Sequence, residues 1–482
     1  MFFRQIFEEG LAQASYIVGC PEKETALVVD PRRDIDVYLQ IARDNDLKIS
    51  AVTETHIHAD FLSGSRELAA ATGATLYLSG CGGDEWAYKA PASGTMRLMR
   101  DGDTIDVGRV MVRVRHVPGH TPEHVMFLIS DDVSSPAPMI ALTGDFVFVG
   151  DVGRPDLLEA AVGVAGSADA GARAMYKSLR DVLSSVPNFV QIWPGHGAGS
   201  ACGKALGAVP ASTVGYEKLT AWWAPYLERL DENGFVRELL DGQPDAPTYF
   251  ARMKRLNRDG APLVGHMAEV ARLDAAGVRR KLDAGAQLVD TRARSDFKSG
   301  HVAGAFALPD ESTFVTRTAW VLDPDGDIVL IAHAERVEPL RHSLHRVGLD
   351  RVVGFVDAAD EATIEGSAPV ALESVDATIA RRRWENGDAL VLDVRNGGEF
   401  RHGHIPGALH IPASRLVAKL DALPRDKQLL VHCAGGGRSV VAASALVAHG
   451  FTDVVDVAGG FDAWEEAGYP VERKAPKEAV SF

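Results

Sequence analysis

The sequence predicts an α/β protein: sheets covered by helices on their outer faces, followed by two small α/β domains with parallel sheets. Three observations predict it. Short apolar runs of strand length alternate with helical stretches through the first half. A cluster of potential metal ligands, Thr55-His56-Ile57-His58-Ala59-Asp60-Phe61, follows one of those runs. An internal repeat, with Leu288–Arg292 echoed at Val391–Arg395, fills the second half. At 482 residues the soft expectation is three domains.

In chain order, Ser15–Gly19 and Ala26–Pro31 are expected to form a hairpin of strands, followed by a helix over Asp34–Asp44. The strand Leu47–Val52 then runs into the ligand loop, and Phe61–Leu68 enters a helix. Further strands are expected at Thr75–Ser79, Val110–His116, Val125–Ile129 and Met139–Leu142, in antiparallel runs, with a helix over Ala172–Val186. The stretch Tyr216–Met253 reads as helical, and the cluster Asp259-Gly260-Ala261-Pro262 marks a boundary.

Composition narrows the partners. The chain is 46% hydrophobic and 24% charged, ordinary for a globular protein, with a formal net charge of −16. That acidic balance disfavours nucleic acid and anionic membrane. No apolar run reaches the roughly eighteen residues of a membrane span. Met1–Glu9 lacks the basic start, apolar core and cleavage site of a signal peptide. Cys20, Cys81, Cys202 and Cys433 show no paired spacing, which fits a reducing compartment, with the cytoplasm as the expected location. Cys20 and Cys81 read as packing residues.

The metal reading rests on several motifs, each at an expected strand end with Gly or Pro nearby. A strand fixes the angle of a ligand loop at its end. His56, His58 and Asp60 lie in the first loop, His120 in Pro118-Gly119-His120-Thr121-Pro122, and Asp145 in Leu142-Thr143-Gly144-Asp145. His196, in Trp193-Pro194-Gly195-His196-Gly197, is a further candidate.

The repeat pairs Asp290 with Asp393 and His301 with His404 at one offset, and Glu365–Pro369 would link the copies. The copies differ where chemistry would sit. In the second, Leu429–His432 leads into Cys433-Ala434-Gly435-Gly436-Gly437-Arg438-Ser439 and then a helix. A thiol between a strand end and a helix start meets unpaired backbone N–H groups at the positive end of the dipole. The glycines let those groups curl into an anion nest, and Arg438 adds charge. The expectation is a nucleophilic thiolate at Cys433. In the first copy His333 stands at that position, the glycines are gone and the loop is shorter. That copy is expected to be catalytically silent, a spacer or docking surface.

Asp393-Val394-Arg395, Glu399-Phe400, Gly403-His404-Ile405-Pro406-Gly407-Ala408 and the Cys433–Arg438 loop resemble a rhodanese-type sulfurtransferase. The first half resembles the metallo-β-lactamase superfamily, and within it the persulfide dioxygenases, through Thr55–Asp60, Pro118–Pro122, Thr143-Gly144-Asp145 and Gly153-Arg154-Pro155-Asp156. As a whole the chain resembles a persulfide dioxygenase–rhodanese fusion. The resemblance implies a metallo-β-lactamase αββα sandwich over 1–260, a degenerate rhodanese-like domain over 261–367 and a rhodanese domain over 368–482.

It also implies one Fe(II) per chain, held by His56, His120 and Asp145, with open positions for substrate and O2. His58 is either a fourth ligand or a group orienting a ligand or O2. Superfamily hydrolases place a second metal with the help of a His where this chain has Phe61. Asp60 and His196 would then remain, too few for a tight zinc site. Many persulfide dioxygenases keep that His, so Phe61 departs from the family as well. The implied substrate is a low-molecular-weight thiol persulfide, oxidised to sulfite. Arg154 is a candidate anion contact oriented by Asp156, or the two form a structural ion pair. Cys202 is either a persulfide carrier or a plain loop cysteine. Cys433, cradled by Gly435, Gly436 and Gly437 beside Arg438, would pass a sulfane sulfur onward, with thiosulfate as product if sulfite accepts it. A homo-oligomer is expected. Two alternatives stand beside this: a dinuclear-zinc hydrolase of glyoxalase II type fused to a sulfurtransferase, and a sulfur carrier or sensor without turnover.

Overall fold

The computed structural model describes residues 1–91, 94–131, 135, 137–157, 167–200, 202–204, 206–243, 245–265, 267–359 and 369–473. The first sheet has the order β1 (Phe2–Glu8), β2 (Gln13–Cys20), β3 (Thr25–Val29), β4 (Lys48–Thr53), β5 (Thr75–Ser79), β6 (Met96–Met99). The second has β7 (Thr104–Val107), β8 (Val110–His116), β9 (Val125–Asp131), β10 (Ile140–Gly144), β11 (Gln191–Pro194) and β12 (Ser212–Thr213) in sequential order.

Alternation along the strands explains the layering. In β3, Leu27 and Val29 join one core while Ala26 and Val28 join another. In β9, Val125, Phe127 and Ile129 face the first of these cores, and Met126 and Leu128 face a third. Successive side chains point to opposite faces, so a strand apolar on both needs cover on both. The shared core lies between the sheets. The other two are closed by helices Asp36–Asp44 and Ser65–Thr72 on one side and by Ser167–Lys177 and Glu232–Leu240 on the other. This is the expected αββα sandwich.

The expectation of antiparallel runs is corrected: both sheets are mixed. β3, β4, β5 and β6 pair in parallel, as do β10 and β11. A helix between two strands returns the chain to the starting edge, so the next strand runs the same way. Helices follow β3 and β4, and a helical segment precedes β11. Strands β1, β6, β7, β11 and β12 were not expected. Four of them are sheet edges, where half-exposed residues dilute the apolar signal, and β11 is short and ends on Pro194. The helix expected at Ala172–Val186 starts earlier, as Ser167–Lys177, and widens into a π-helical turn at Ser178–Val182. The helical stretch after 216 divides into Val214–Thr220, Ala224–Glu228, Glu232–Leu240 and Phe250–Asp259.

Two compact units divide the chain: Met1–Met267 with His345–Gly348, and Ala268–Leu344 with Leu349–Phe482. The second holds two parallel sheets. One has the order β14 (Phe306–Ala307), β13 (Gln287–Asp290), β15 (Ile328–Ala332), β16 (Val352–Asp357). The other has β17 (Ser374–Val375), β21 (Val454–Val457), β20 (Gln428–His432), β18 (Ala389–Asp393), β19 (Leu409–His410). The repeat is carried into detail. Arg292 and Arg395 each grip the aspartate two residues earlier and reach a glycine carbonyl, Gly300 at 3.0 Å and Gly403 at 2.7 Å. His301 stacks on Phe297 as His404 stacks on Phe400, both at 3.8 Å. Residues of both copies, among them Val329, Ile331, Leu392 and Val431, share one core. The expected linker Glu365–Pro369 falls, but for Pro369, outside the described residues. Among the described residues no helix is long and apolar enough to cross a membrane.

Phe127→Ala, in the layer between the sheets (0% exposed), is expected to cost about 3–5 kcal/mol in chemical denaturation. Leu219→Ala (84% exposed) is expected to change stability by less than about 0.5 kcal/mol.

Candidate metal centre

The loop that leaves β4 is pinned from three directions. Asp30, at the end of β3, accepts the Thr55 N–H (2.7 Å) and hydroxyl (2.8 Å). Glu123 accepts the Ile57 N–H at 2.8 Å. The Asn257 amide donates to the carbonyls of His58 and Phe61, both at 2.8 Å, and accepts the Ser63 N–H at 2.9 Å. A buried backbone group must find such a partner, so these contacts fix where the histidines stand. Close backbone approaches bring the other loops in. A Cβ at Gly119 would lie 2.6 Å from the Met175 Cα, and one at Gly153 would lie 1.8 Å from the Asp145 carbonyl oxygen. Parallel pairing of β10 with β11, in register at Gly144 and Pro194, sets Asp145 beside His196.

His56, His120 and Asp145 converge, with one candidate ligand atom from each lying within 4.8 Å of the others. The Thr55 hydroxyl gives its proton to Asp30, so its oxygen accepts from His56 Nδ1 (2.9 Å) and leaves His56 Nε2 bare. His120 Nδ1 donates to the Arg154 carbonyl at 3.0 Å, which leaves its Nε2 bare too. The bare nitrogens stand 3.8 and 3.6 Å from Asp145 Oδ2, a buried oxygen with no hydrogen-bond partner. Burial, and then the surrounding imidazoles, hold His56 well below its ordinary value; burial also lowers His120. Burial alone would raise the Asp145 carboxyl, but His196 outweighs it and holds the group below the usual carboxylate range. Three lone pairs thus meet with no proton among them. A cation fits that arrangement, and the residues present suit a metal.

Around this group the expected residues take distinct places. His58 sits outside it: its Nε2 donates to Asp30 at 3.0 Å, and its ring lies 4.2 Å from that of His56. Burial lowers the His58 imidazole, yet Asp30 outweighs burial and brings it to about 9. His196 spends both nitrogens, Nδ1 on Asp145 Oδ1 (2.7 Å) and Nε2 on Asp60 (2.8 Å). Phe61 is fully buried against His58. Cys202 is buried as well, and burial followed by Asp145 and Asp60 pushes its thiol up. Asp60, His196 and Cys202 form a second group with ligand atoms within 4.8 Å, so the expectation that only Asp60 and His196 remain there omits a third donor. Arg154 is buried, grips Asp156 through Nε at 2.9 Å, and supplies the carbonyl that fixes His120.

Sequence reasoning missed Asp30, Glu123, His124 and Asn257. His124 stacks on His56 at 4.7 Å, and its Nε2 accepts the Asp145 N–H at 3.1 Å. Its closeness to His120 in the chain was the available signal. Asn257 is far away in sequence and gave none.

The Cys433 site lies in the second unit. The thiol is buried between β20 and helix Gly437–Ala448, and its sulfur accepts the Gly436 N–H at 3.2 Å. Gly436 has φ 96°, the left-handed region that turns that N–H inward. The thiol faces the Ser439 hydroxyl at 3.7 Å, which donates to Asp456 at 2.7 Å. Arg438 is more committed than expected: two bonds of 2.7 Å tie it to Glu399. His333, at the matching strand end, is exposed and leads into the 3-10 turn Ala334–Arg336.

Known proteins share this architecture. The metallo-beta-lactamase superfamily model matches residues 9–196, and that of the rhodanese-like domain matches 376–467. A crystal structure of a metallo-beta-lactamase from Staphylococcus aureus subsp. aureus COL is 36% identical, with a TM-score of 0.65 over 74% of this chain and 98% of that one. The chain belongs to the metallo-beta-lactamase superfamily. Among curated relatives, persulfide dioxygenase ETHE1 of Bos taurus is 28% identical over 203 residues, 41% of this chain and 68% of that protein. The probable polyketide biosynthesis zinc-dependent hydrolase BaeB of Bacillus velezensis is 25% identical over 202 residues, 42% of this chain and 80% of its own. The metallo-beta-lactamase fold implies a metal site, and the His/His/Asp group offers the donors for one.

Thr55→Val removes the oxygen that holds the His56 tautomer. It is expected to weaken metal binding about 10- to 100-fold in a titration of chelator-stripped protein, with the fold retained by circular dichroism.

Proposed function

We propose that this chain is a persulfide dioxygenase joined to a sulfurtransferase, divided as residues 1–260, 261–367 and 368–482. The observation that carries the first activity is the orphaned Asp145 Oδ2 between two bare imidazole nitrogens. His56, His120 and Asp145 would hold one Fe(II), which would supply O2 activation beside the terminal sulfur of a thiol persulfide. The net change takes a persulfide, O2 and water to the thiol, sulfite and two protons.

The protein's own groups set the conditions. Thr55 and the Arg154 carbonyl hold His56 and His120 in the tautomers that aim Nε2 inward. His196 donates to Asp145 Oδ1, leaving Oδ2 free, and Asp60 secures His196 from behind. Phe61 excludes water and denies a nitrogen to a second ion. Arg154, oriented by Asp156, is assigned to the anionic substrate. In the rhodanese-like domain, Cys433 takes a sulfane sulfur and hands it to an acceptor, with the Gly436 N–H turned to the sulfur. All four cysteines are unpaired, which supports a reducing compartment such as the cytoplasm.

One observation favours a second reading. Cys202 beside Asp60 and His196 would give a donor set for a second ion, as a dinuclear-zinc hydrolase would need, once the ion displaced the His196 Nε2 proton held by Asp60 and the thiol proton. Anaerobically purified protein separates the two. The dioxygenase reading expects one iron per chain and O2 uptake with glutathione persulfide that yields sulfite. It expects Asp145→Ala to lower that uptake at least about 1,000-fold. It also expects Cys433→Ser to leave uptake intact while abolishing sulfur transfer. Two zinc ions per chain, with thioester hydrolysis and no uptake, would establish the second reading.

A further inference from the structure

Two arginines of the thiol-less repeat stand at the mouth of the Cys433 loop. A Cβ built on Gly437 would lie 3.3 Å from Arg317 Nη2 and 3.8 Å from Arg294 Nη2. Arg317 lies on helix Phe314–Val321, and Arg294 opens helix Arg294–Ser299. Both belong to the copy whose strand β15 is followed by His333 instead of a cysteine.

Their donors are incompletely spent. Glu311 Oε2 accepts from both, from Arg317 Nη1 at 3.4 Å and more closely from Arg294 Nη2. One carboxylate oxygen cannot satisfy two guanidiniums, and the Nε of each is buried with no hydrogen-bond partner. Burial, and then the nearby Arg294, hold the Arg317 guanidinium below its ordinary range, while Glu311 and Cys433 act in the opposite sense. A small anion between the two would relieve that repulsion. The carboxylates nearby are accounted for: Glu399 is bound to Arg438, and Asp462 lies across the loop, 3.6 Å from a Cβ built on Gly435. The same repeat also reaches the thiol from behind. Lys298 donates to Asp456 at 3.2 Å, Asp456 accepts the Ser439 hydroxyl, and Ser439 faces Cys433.

We infer that Arg294 and Arg317 complete the Cys433 site as a receptor for a small, doubly charged sulfur oxyanion, thiosulfate as donor or sulfite as acceptor. The inference rests on the reading of Cys433 as a sulfur carrier. In the donor direction the Cys433 thiolate attacks the outer sulfur of thiosulfate. The Sγ–S bond forms, the S–S bond of thiosulfate breaks, and sulfite leaves with the bonding pair, so charge balances with no co-reactant. In the acceptor direction sulfite attacks the outer sulfur of the Cys433 persulfide and restores the thiolate. In both, the planar guanidiniums bind oxyanion oxygens and touch neither reacting sulfur, which makes them binding residues.

The test uses the full chain with Arg294→Gln, Arg317→Gln, the double variant and Arg317→Lys. KM values for thiosulfate and sulfite are measured beside the rate of Cys433 alkylation by uncharged iodoacetamide. Each glutamine variant is expected to raise KM for both oxyanions about tenfold and the double variant about a hundredfold. The limiting alkylation rate at high pH, where the thiol is fully ionised and neighbouring charge no longer sets the thiolate fraction, should stay within about twofold. Arg317→Lys should lose less than Arg317→Gln. A double variant with near-normal KM overturns the inference, as does alkylation slowed by the same factor, which would mean a disturbed loop. If Arg317→Gln does not fold, Arg294→Gln and Arg317→Lys decide the matter alone. Cys433→Ser that still transfers sulfur sinks the carrier reading instead, whatever the arginine variants do.

Discussion

Two imidazole nitrogens and one carboxylate oxygen, all without protons, are buried together in the first unit. Without a cation that arrangement is costly, since each lone pair is stripped of water and faces its neighbours. The surroundings are arranged to keep it so. Asp30 takes the Thr55 proton, the Arg154 carbonyl takes that of His120, and His196 covers the other Asp145 oxygen. Each of these contacts removes a way for the group to quench itself by internal hydrogen bonding.

The sandwich supplies the precision. Ligand loops leave the ends of β4, β10 and β11 and the turn between β8 and β9. Because β10 and β11 run in parallel, their ends lie side by side and bring Asp145 and His196 together. Strands buried on both faces cannot shift register without exposing one apolar set, so the loops inherit a fixed origin. Asn257 then ties a helix from the far end of the unit to the first loop.

In the second unit, two copies of one frame carry different contents. The Asp–Arg clasp and the His–Phe stack persist in both, because they hold strand ends and turns in place whatever chemistry follows. The thiol and its glycine cradle persist in one. A shared core holds the copies as neighbours, and guanidiniums of the copy without the thiol reach the loop of the other. The copy with His333 in place of the cysteine therefore still borders the Cys433 loop.

Much was legible in the chain itself. The strands buried on both faces, the repeat, the metal motifs and the Cys433 loop are local patterns, written within a few residues by side-chain period, glycine placement and ligand type. The edge strands were not legible, since half their residues face water and carry no period. Asp30, Glu123 and Asn257 were silent for another reason: an aspartate, a glutamate and an asparagine are ordinary until the fold buries them against a particular N–H or imidazole. Which histidine nitrogens stay bare, that Cys202 joins Asp60 and His196, and that Arg294 and Arg317 meet Gly437 were likewise decided only in three dimensions. Sequence determined the donors, because donor chemistry belongs to the residue. Tertiary structure decided their partners, because hydrogen bonding and burial act across space between residues the chain keeps far apart.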